Sequence, residues 1–158
     1  HLAHADAAVV AMGPGVVGTG SRLGFSGIEV GAVLDAAAGL QGIPIACLRV
    51  SFADDRHRHR GVSHHSLTAL SVATRSRVVI ALPCVGGEAE ATVRADLAGA
   101  GLTDRHDVVE VAATGIVDLL ASHGLEITSM GRPASADPAL FEAAAAAGIV
   151  AAERIAHP

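Results

Sequence analysis

Residues 77–98 read RVVIALPCVGGEAEATVRADLA, and the organisation of the whole chain follows from them. The apolar run 78–82 is too short for a helix and is stopped by Pro83. The pair Gly86–Gly87 then turns the chain into a segment of helical character from Glu88 to Ala98. A strand that is apolar at every position is buried on both faces. Such strands belong to parallel sheets, whose crossovers lay helices on either side.

The same unit recurs outward in both directions. Strands are predicted at 7–12, 45–52, 77–82, 107–111 and 126–130. Each is followed by a helix: 27–39, 64–74, 88–98, 114–122, and from Asp137 and Pro138 to Gly148, resuming toward Ile155. Ser26 with Glu29 has the spacing of a capping box, Ser63 that of an N-cap, and Pro138 stands where a missing N–H costs nothing. Alternating strands and helices predict an α/β fold, a doubly wound, mostly parallel five-stranded sheet with helices on both faces, Rossmann-like or flavodoxin-like. At 158 residues the chain is one domain with its own core.

Composition narrows the chemistry. The chain is 51% hydrophobic and 17% charged, with a mean hydropathy of +0.47, which excludes a disordered chain. No apolar run reaches the ~18 residues of a membrane span. A net charge of −5, with all 11 basic residues arginine, argues against nucleic acid as a partner. There is no lysine, so neither a Schiff base nor a P-loop lysine exists; there is no tyrosine or tryptophan. Two cysteines, Cys47 in a strand and therefore core, and Cys84 at a strand end, fit a reduced, cytoplasmic protein. The chain starts on His1 without a signal peptide and reads as the C-terminal part of a longer protein.

In open parallel sheets ligands bind outside the carboxyl ends of the strands. Two such ends carry unusual residues. The first, 13–20, reads GPGVVGTG, with Gly13, Gly15 and Gly18 matching G-x-G-x-x-G and Thr19 following. The match departs from a dinucleotide site, because the helix starts late and no acidic residue ends strand two at the usual spacing. A glycine loop also forms a nest of amides for phosphate or carboxylate, or simply turns the chain.

The second, 51–65, reads SFADDRHRHRGVSHH. Its alternation of Arg56, Arg58 and Arg60 with His57 and His59, then Ser63 and the pair His64–His65, suits an anion held by arginines beside a histidine proton donor. The helix starting at Ser63 adds free amides. If extended, the loop would aim His57 and His59 one way, as a metal chelate needs, although arginines repel a cation and His64 and His65 project ~100° apart. Asp54 would orient an imidazole, or else cap the loop or pair with its arginines, and Arg132 at the fifth strand end would reach an anion or lie on the surface. Cys84 has a position that favours a thiolate, and the ordinary alternative is an inert thiol.

The segments MGPGVVGT (12–19), GFSGIE (24–29), SFAD (51–54), Arg56, Arg58–His59, Gly61, Ser63–His64–His65, LTAL (67–70) and SMGR (129–132) resemble an uncharacterised bacterial family, catalogued as a domain of unknown function. The resemblance implies a longer protein with an additional N-terminal region that would complete the site, and no assigned activity.

Three readings follow. The leading one is a small-molecule-binding, potentially catalytic domain for an anionic or phosphorylated ligand, cofactor unknown. In it Gly13, Gly15, Gly18, Thr19, Arg56, Arg58, Arg60, Ser63 and Arg132 bind. His59, His64 and His65 exchange protons, and Asp54 orients one of them. The second is a metal-dependent hydrolase built on the histidines. The third is an interaction module whose alanine-rich last helix packs on the N-terminal region or on a second copy.

Overall fold

A computed structural model describes residues 5–12 and 15–157. The fold mixes helix and strand around a three-stranded parallel sheet, β1 (Ile45–Cys47), β4 (Val79–Pro83) and β5 (Asp107–Val111), in the order β1-β4-β5. Between β1 and β4 lie β2 (Val50–Ser51), β3 (Gly61–Val62) and α2 (His64–Thr68). The link from β4 to β5 is made by α3 (Gly87–Gly99) and α4 (Leu102–Arg105). Ahead of the sheet runs α1 (Val30–Gly39); behind it come α5 (Ile116–Ser122), the hairpin β6 (Thr128–Ser129) and β7 (Arg132–Pro133), and α6 (Pro138–Ala156).

The central strand is buried throughout, as residues 77–82 predict, and its alternate side chains serve two cores. Val78, Ile80 and Leu82 join Leu34 of α1, Val93 and Leu97 of α3 and Leu102 of α4. Val79 and Ala81 face Ala146 and Val150 of α6. Helices therefore cover both sheet faces. The buried positions of α6, Ala139, Ala143, Ala146 and Val150, form one stripe of small residues that lets the helix lie close on β1 and β4. Asp137, just ahead of α6, is buried and does not cap the helix with its side chain. Its carboxylate accepts from the Ser51 hydroxyl at 2.5 Å and the Phe52 N–H at 3.1 Å, anchoring the end of β2.

The five-stranded doubly wound sheet needs correction: three of the expected strands pair in it. Residues 7–11 are exposed and unpaired despite their strand-like composition. Residues 126–130 supply only β6, which pairs antiparallel with β7 across a two-residue turn, Met130 and Gly131, both with positive φ. The run 45–52 breaks after Cys47 because the chain turns to pair β2 with β3, Val50 opposite Val62 and Ser51 opposite Gly61. Cys47 consequently lies on an edge strand, outside both core clusters, with its thiol set against Ala143 O of α6 and pushed up by burial there. The helix expected to stop at Gly148 continues unbroken to Ala156. Among the described residues no helix is long and apolar enough to cross a membrane.

Candidate functional site

The loop between β2 and β3 is held by one carboxylate. Asp54, buried, accepts from Arg49 Nη2 at 2.8 Å, from Arg56 Nη2 at 2.9 Å and Nε at 3.0 Å, and from the Arg56 N–H at 3.0 Å. The Arg56 guanidinium, seconded by Arg49, holds this carboxyl well below the usual carboxylate range. Asp54 thus consumes two arginines and binds no imidazole.

Closed in this way, the loop coils residues His57–His59 into a 3-10 turn. In such a turn residues two apart do not share a face. His59 is buried while His57 and Arg58 stay outside, so the expected His57–His59 chelate does not form. Gly61 closes the loop at φ +71°, where a Cβ would lie 2.4 Å from Asp96 Oδ2. That oxygen instead accepts the Val62 N–H at 2.8 Å.

Ser63 then caps α2, its hydroxyl accepting from the His65 N–H at 3.3 Å. The same oxygen lies 2.7 Å from His59 Nδ1. This fixes the His59 ring and turns Nε2 outward, where Arg58 Nε donates to it at a long 3.5 Å. His64 and His65, adjacent on the first turn of α2, reach the same point from their divergent starts. Ring centroids are 4.2 Å apart for His64–His65, 5.0 Å for His59–His64 and 4.9 Å for His59–His65. One nitrogen of each ring lies within 4.8 Å of the others.

Burial opposes protonation of this trio. It is the first cause that pushes His59 down to about 4, aided by the charges of Arg56 and Arg49. It does the same for His65, also down to about 4, with His64 the next contributor. His64 is lowered by burial and then by Arg58. All three rings are neutral at neutral pH, the form that binds metal. His64 Nε2 is buried without a hydrogen-bond partner, which costs about 1–3 kcal/mol if nothing fills the position.

The shifts set a pH dependence. The unfolded rings protonate near pH 6.5 and the folded ones only near 4, so the unfolded state gains protons first as pH falls. Metal-free protein should therefore lose stability from about pH 6.5 down to about 4 and level off below. Allowing for the partial exposure of His65, the expected loss between about pH 7.5 and 5.5 is roughly 2 kcal/mol, read as the shift of a urea midpoint. A flat profile over that interval would show that the rings are protonated in the folded state.

The glycine-rich segment meets this cluster through a hairpin. Ser26 N–H donates to Val17 O at 2.8 Å and Thr19 N–H to Gly24 O at 2.7 Å, with Gly18 bridged to Phe25. Ser26 accepts from the Val17 N–H through its hydroxyl and caps no helix. Several loop amides are therefore spent inside the hairpin. What the segment delivers is Phe25, buried and stacked on His65 at 4.2 Å and 11°.

Gly13 lies outside the described residues. Gly15 is exposed, and the Thr19 hydroxyl is engaged with Ser21 and Gly24. Arg132 sits in β7, its Nε buried and unpartnered, and lines neither groove at the histidines. Cys84, half-buried after β4, lines neither groove as well.

Two open grooves flank the cluster, of about 830 and 540 Å³, and share Arg58, His64, Leu67 and Asp96. The larger is completed by Ser21, Arg22, Thr68 and Ser71, the smaller by His57, Arg60 and Thr92. Ser21, Arg22, Thr92 and Asp96 are absent from the sequence reading. Asp96 and Thr92 come from α3, whose pattern reads as an ordinary amphipathic helix. Only the fold brings them to the histidines.

The family model described as "Protein of unknown function (DUF3866)" matches residues 1–148. No curated protein and no solved structure matches the chain.

Proposed function

Since the chain belongs to the DUF3866 family, whose description carries no activity, its function must be read from its own residues, and we propose that it is a metal-dependent domain in which His59, His64 and His65 hold one divalent transition ion, zinc by preference. The observation that carries this reading is the convergence of three neutral imidazoles within 4.8 Å of one another, one of them with a buried nitrogen that nothing satisfies.

The residues suit a catalytic ion better than a structural one. Three protein ligands leave a coordination position open, whereas structural zinc takes four. Ser63 does for His59 what an outer-shell partner does, fixing ring orientation and tautomer. When bound, such an ion supplies Lewis-acid activation of a water or carbonyl oxygen, the chemistry of hydrolases. Asp96, the carboxylate on the wall of both grooves, is assigned to receive the proton. The metal choice rests on the all-imidazole donor set, which disfavours magnesium and calcium, both of which prefer oxygen.

The test is a cobalt(II) titration of metal-free protein followed by visible absorption. One equivalent should produce the intense bands of a four- or five-coordinate ion, and added zinc should bleach them. Absence of the bands, with zinc dialysing away at micromolar concentration, would remove the metal reading.

A further inference from the structure

We propose that the ligand of this centre is a small aliphatic phosphate ester, its phosphate held between Arg58 and Arg22 in the larger groove. The proposal rests on the metal reading above and names the substrate class of the same site.

Of the five arginines around the histidines, Arg49 and Arg56 are paired with Asp54, and Arg60 lines only the smaller groove. Arg58 and Arg22 form no ion pair among the described residues, and both line the larger groove. The one carboxylate there, Asp96, already accepts a backbone N–H from Val62. A three-imidazole centre brings no negative ligand, so the full charge of a divalent ion would add to that of the two guanidiniums. The protein is acidic overall, at −5, yet this groove sets two unpaired guanidiniums against the single carboxylate of Asp96. A dianion answers that charge, and guanidinium forks match phosphate oxygens in pairs. His64, whose Nε2 lacks a partner, lies on the same groove wall.

The remaining lining identifies the other end of the molecule. Ser21, Thr68 and Ser71 offer hydroxyls, and Leu67, Val72 and Ala100 an aliphatic floor. Phe25 is stacked on His65 and buried, so no aromatic face is left free in the groove to stack a base. About 830 Å³ exceeds what a bare phosphate fills and falls within the range of small-molecule sites. Hydroxyls and aliphatic surface without stacking fit a polyol or short-chain ester.

Calorimetric titration of inorganic phosphate, glycerol 3-phosphate and acetate into the full chain tests this, with zinc and without it. Zinc-loaded protein should bind glycerol 3-phosphate more tightly than phosphate, and acetate weakly. Arg58→Ala should weaken phosphate ester binding by about tenfold or more, and Arg22→Ala by several-fold; Arg22→Ala should leave zinc affinity unchanged, whereas Arg58→Ala also removes the donor to His59 Nε2 and is compared as the zinc-loaded protein. Both side chains are exposed, so unchanged thermal unfolding will show the variants folded.

If zinc binds but glycerol 3-phosphate does not, or binds equally to wild type and Arg58→Ala, the substrate proposal is overturned and the metal centre stands. If zinc does not bind while Arg58→Ala still abolishes phosphate binding, the metal reading falls and the anion groove survives. Acetate binding as tightly as phosphate would also overturn the ligand class.

Discussion

Replacing His64 by alanine is expected to weaken zinc binding roughly a thousandfold. Apparent zinc affinities of ~10–16 kcal/mol are shared among a few ligands, so one imidazole accounts for about 4 kcal/mol, and each 1.4 kcal/mol is tenfold. Wild-type protein with zinc at about 100 times its Kd should gain about 2.7 kcal/mol, a rise of about 5–11 °C for a domain of this size; His64→Ala should show none of that rise. The metal-free variant should be no less stable than wild type, because the substitution removes a buried nitrogen that has no partner.

Two companions sharpen the result. His57→Ala, at an exposed position on the same loop, should leave zinc binding unchanged, whereas a general effect of losing a histidine would weaken both. Ser63→Ala should cost about 10–100-fold, the usual effect of losing a group that orients a ligand. Equal zinc affinity in wild type and His64→Ala would sink the assignment of the triad.

The second large effect lies far from the histidines in character, though not in position. Gly31 sits in the second position of α1 and is buried. Helix propensity alone predicts that alanine there would stabilise by about 1 kcal/mol. The structure reverses the sign. A Cβ on Gly31 would lie 2.6 Å from both the carbonyl carbon and the Cβ of Ala73, and 2.7 Å from its oxygen. These are backbone and short side-chain atoms, which cannot swing away.

Ala73 ends the π-helical turn Ala69–Ala73 that widens the C-terminus of α2, so α1 would have to lift off that turn. Gly31→Ala should cost roughly 3 kcal/mol, lowering the melting temperature by about 6–12 °C. Gly148→Ala makes the contrast: it is exposed within α6 with nothing within 4 Å, and should stabilise by about 0.5–1 kcal/mol. Equal responses at the two glycines would show that propensity, not packing, governs both.

The residues that proved legible in sequence are those whose surroundings are dictated by their own segment. Residues 78–82 are apolar on both faces, and only a parallel strand between two helical layers uses such a run; β4 is that strand. The match of 107–111 to β5 has another origin: Val108, Val109 and Val111 are strand formers, and the exposed Asp107 and Glu110 suit an edge position. Residues 7–12 misled because composition states what a strand would bury without supplying a neighbour to pair with. Residues 126–130 misled because a Met–Gly turn at positive φ returns the chain on itself, a conformation rare for methionine.

At the site, the histidines were visible as a dense cluster, but the grouping was not. An extended loop pairs His57 with His59, whereas the 3-10 turn enforced by Asp54 and its two arginines pairs His59 with His64 and His65 instead. Pairing of Asp54 with an arginine of its own loop was legible as an alternative, and Arg56 is that partner; Arg49 was not, because it precedes the loop. The walls contributed by Arg22 and Asp96 lie in segments with no local sign of chemistry.

The bonds from Asp137 to Ser51 and Phe52 span 86 and 85 positions of the chain. All three metal-binding candidates are synthesised long before the residue that secures the start of their loop. A nascent chain that has released His65 from the ribosome still lacks β4, β5 and α6. Its imidazoles are at that stage free to bind any ion they meet, in any combination. A chain stopped before residue 137 would keep His59, His64 and His65 and lose the two bonds that anchor the end of β2 ahead of their loop. If the three imidazoles hold the proposed ion, its selection comes late in synthesis, after Asp137 has emerged.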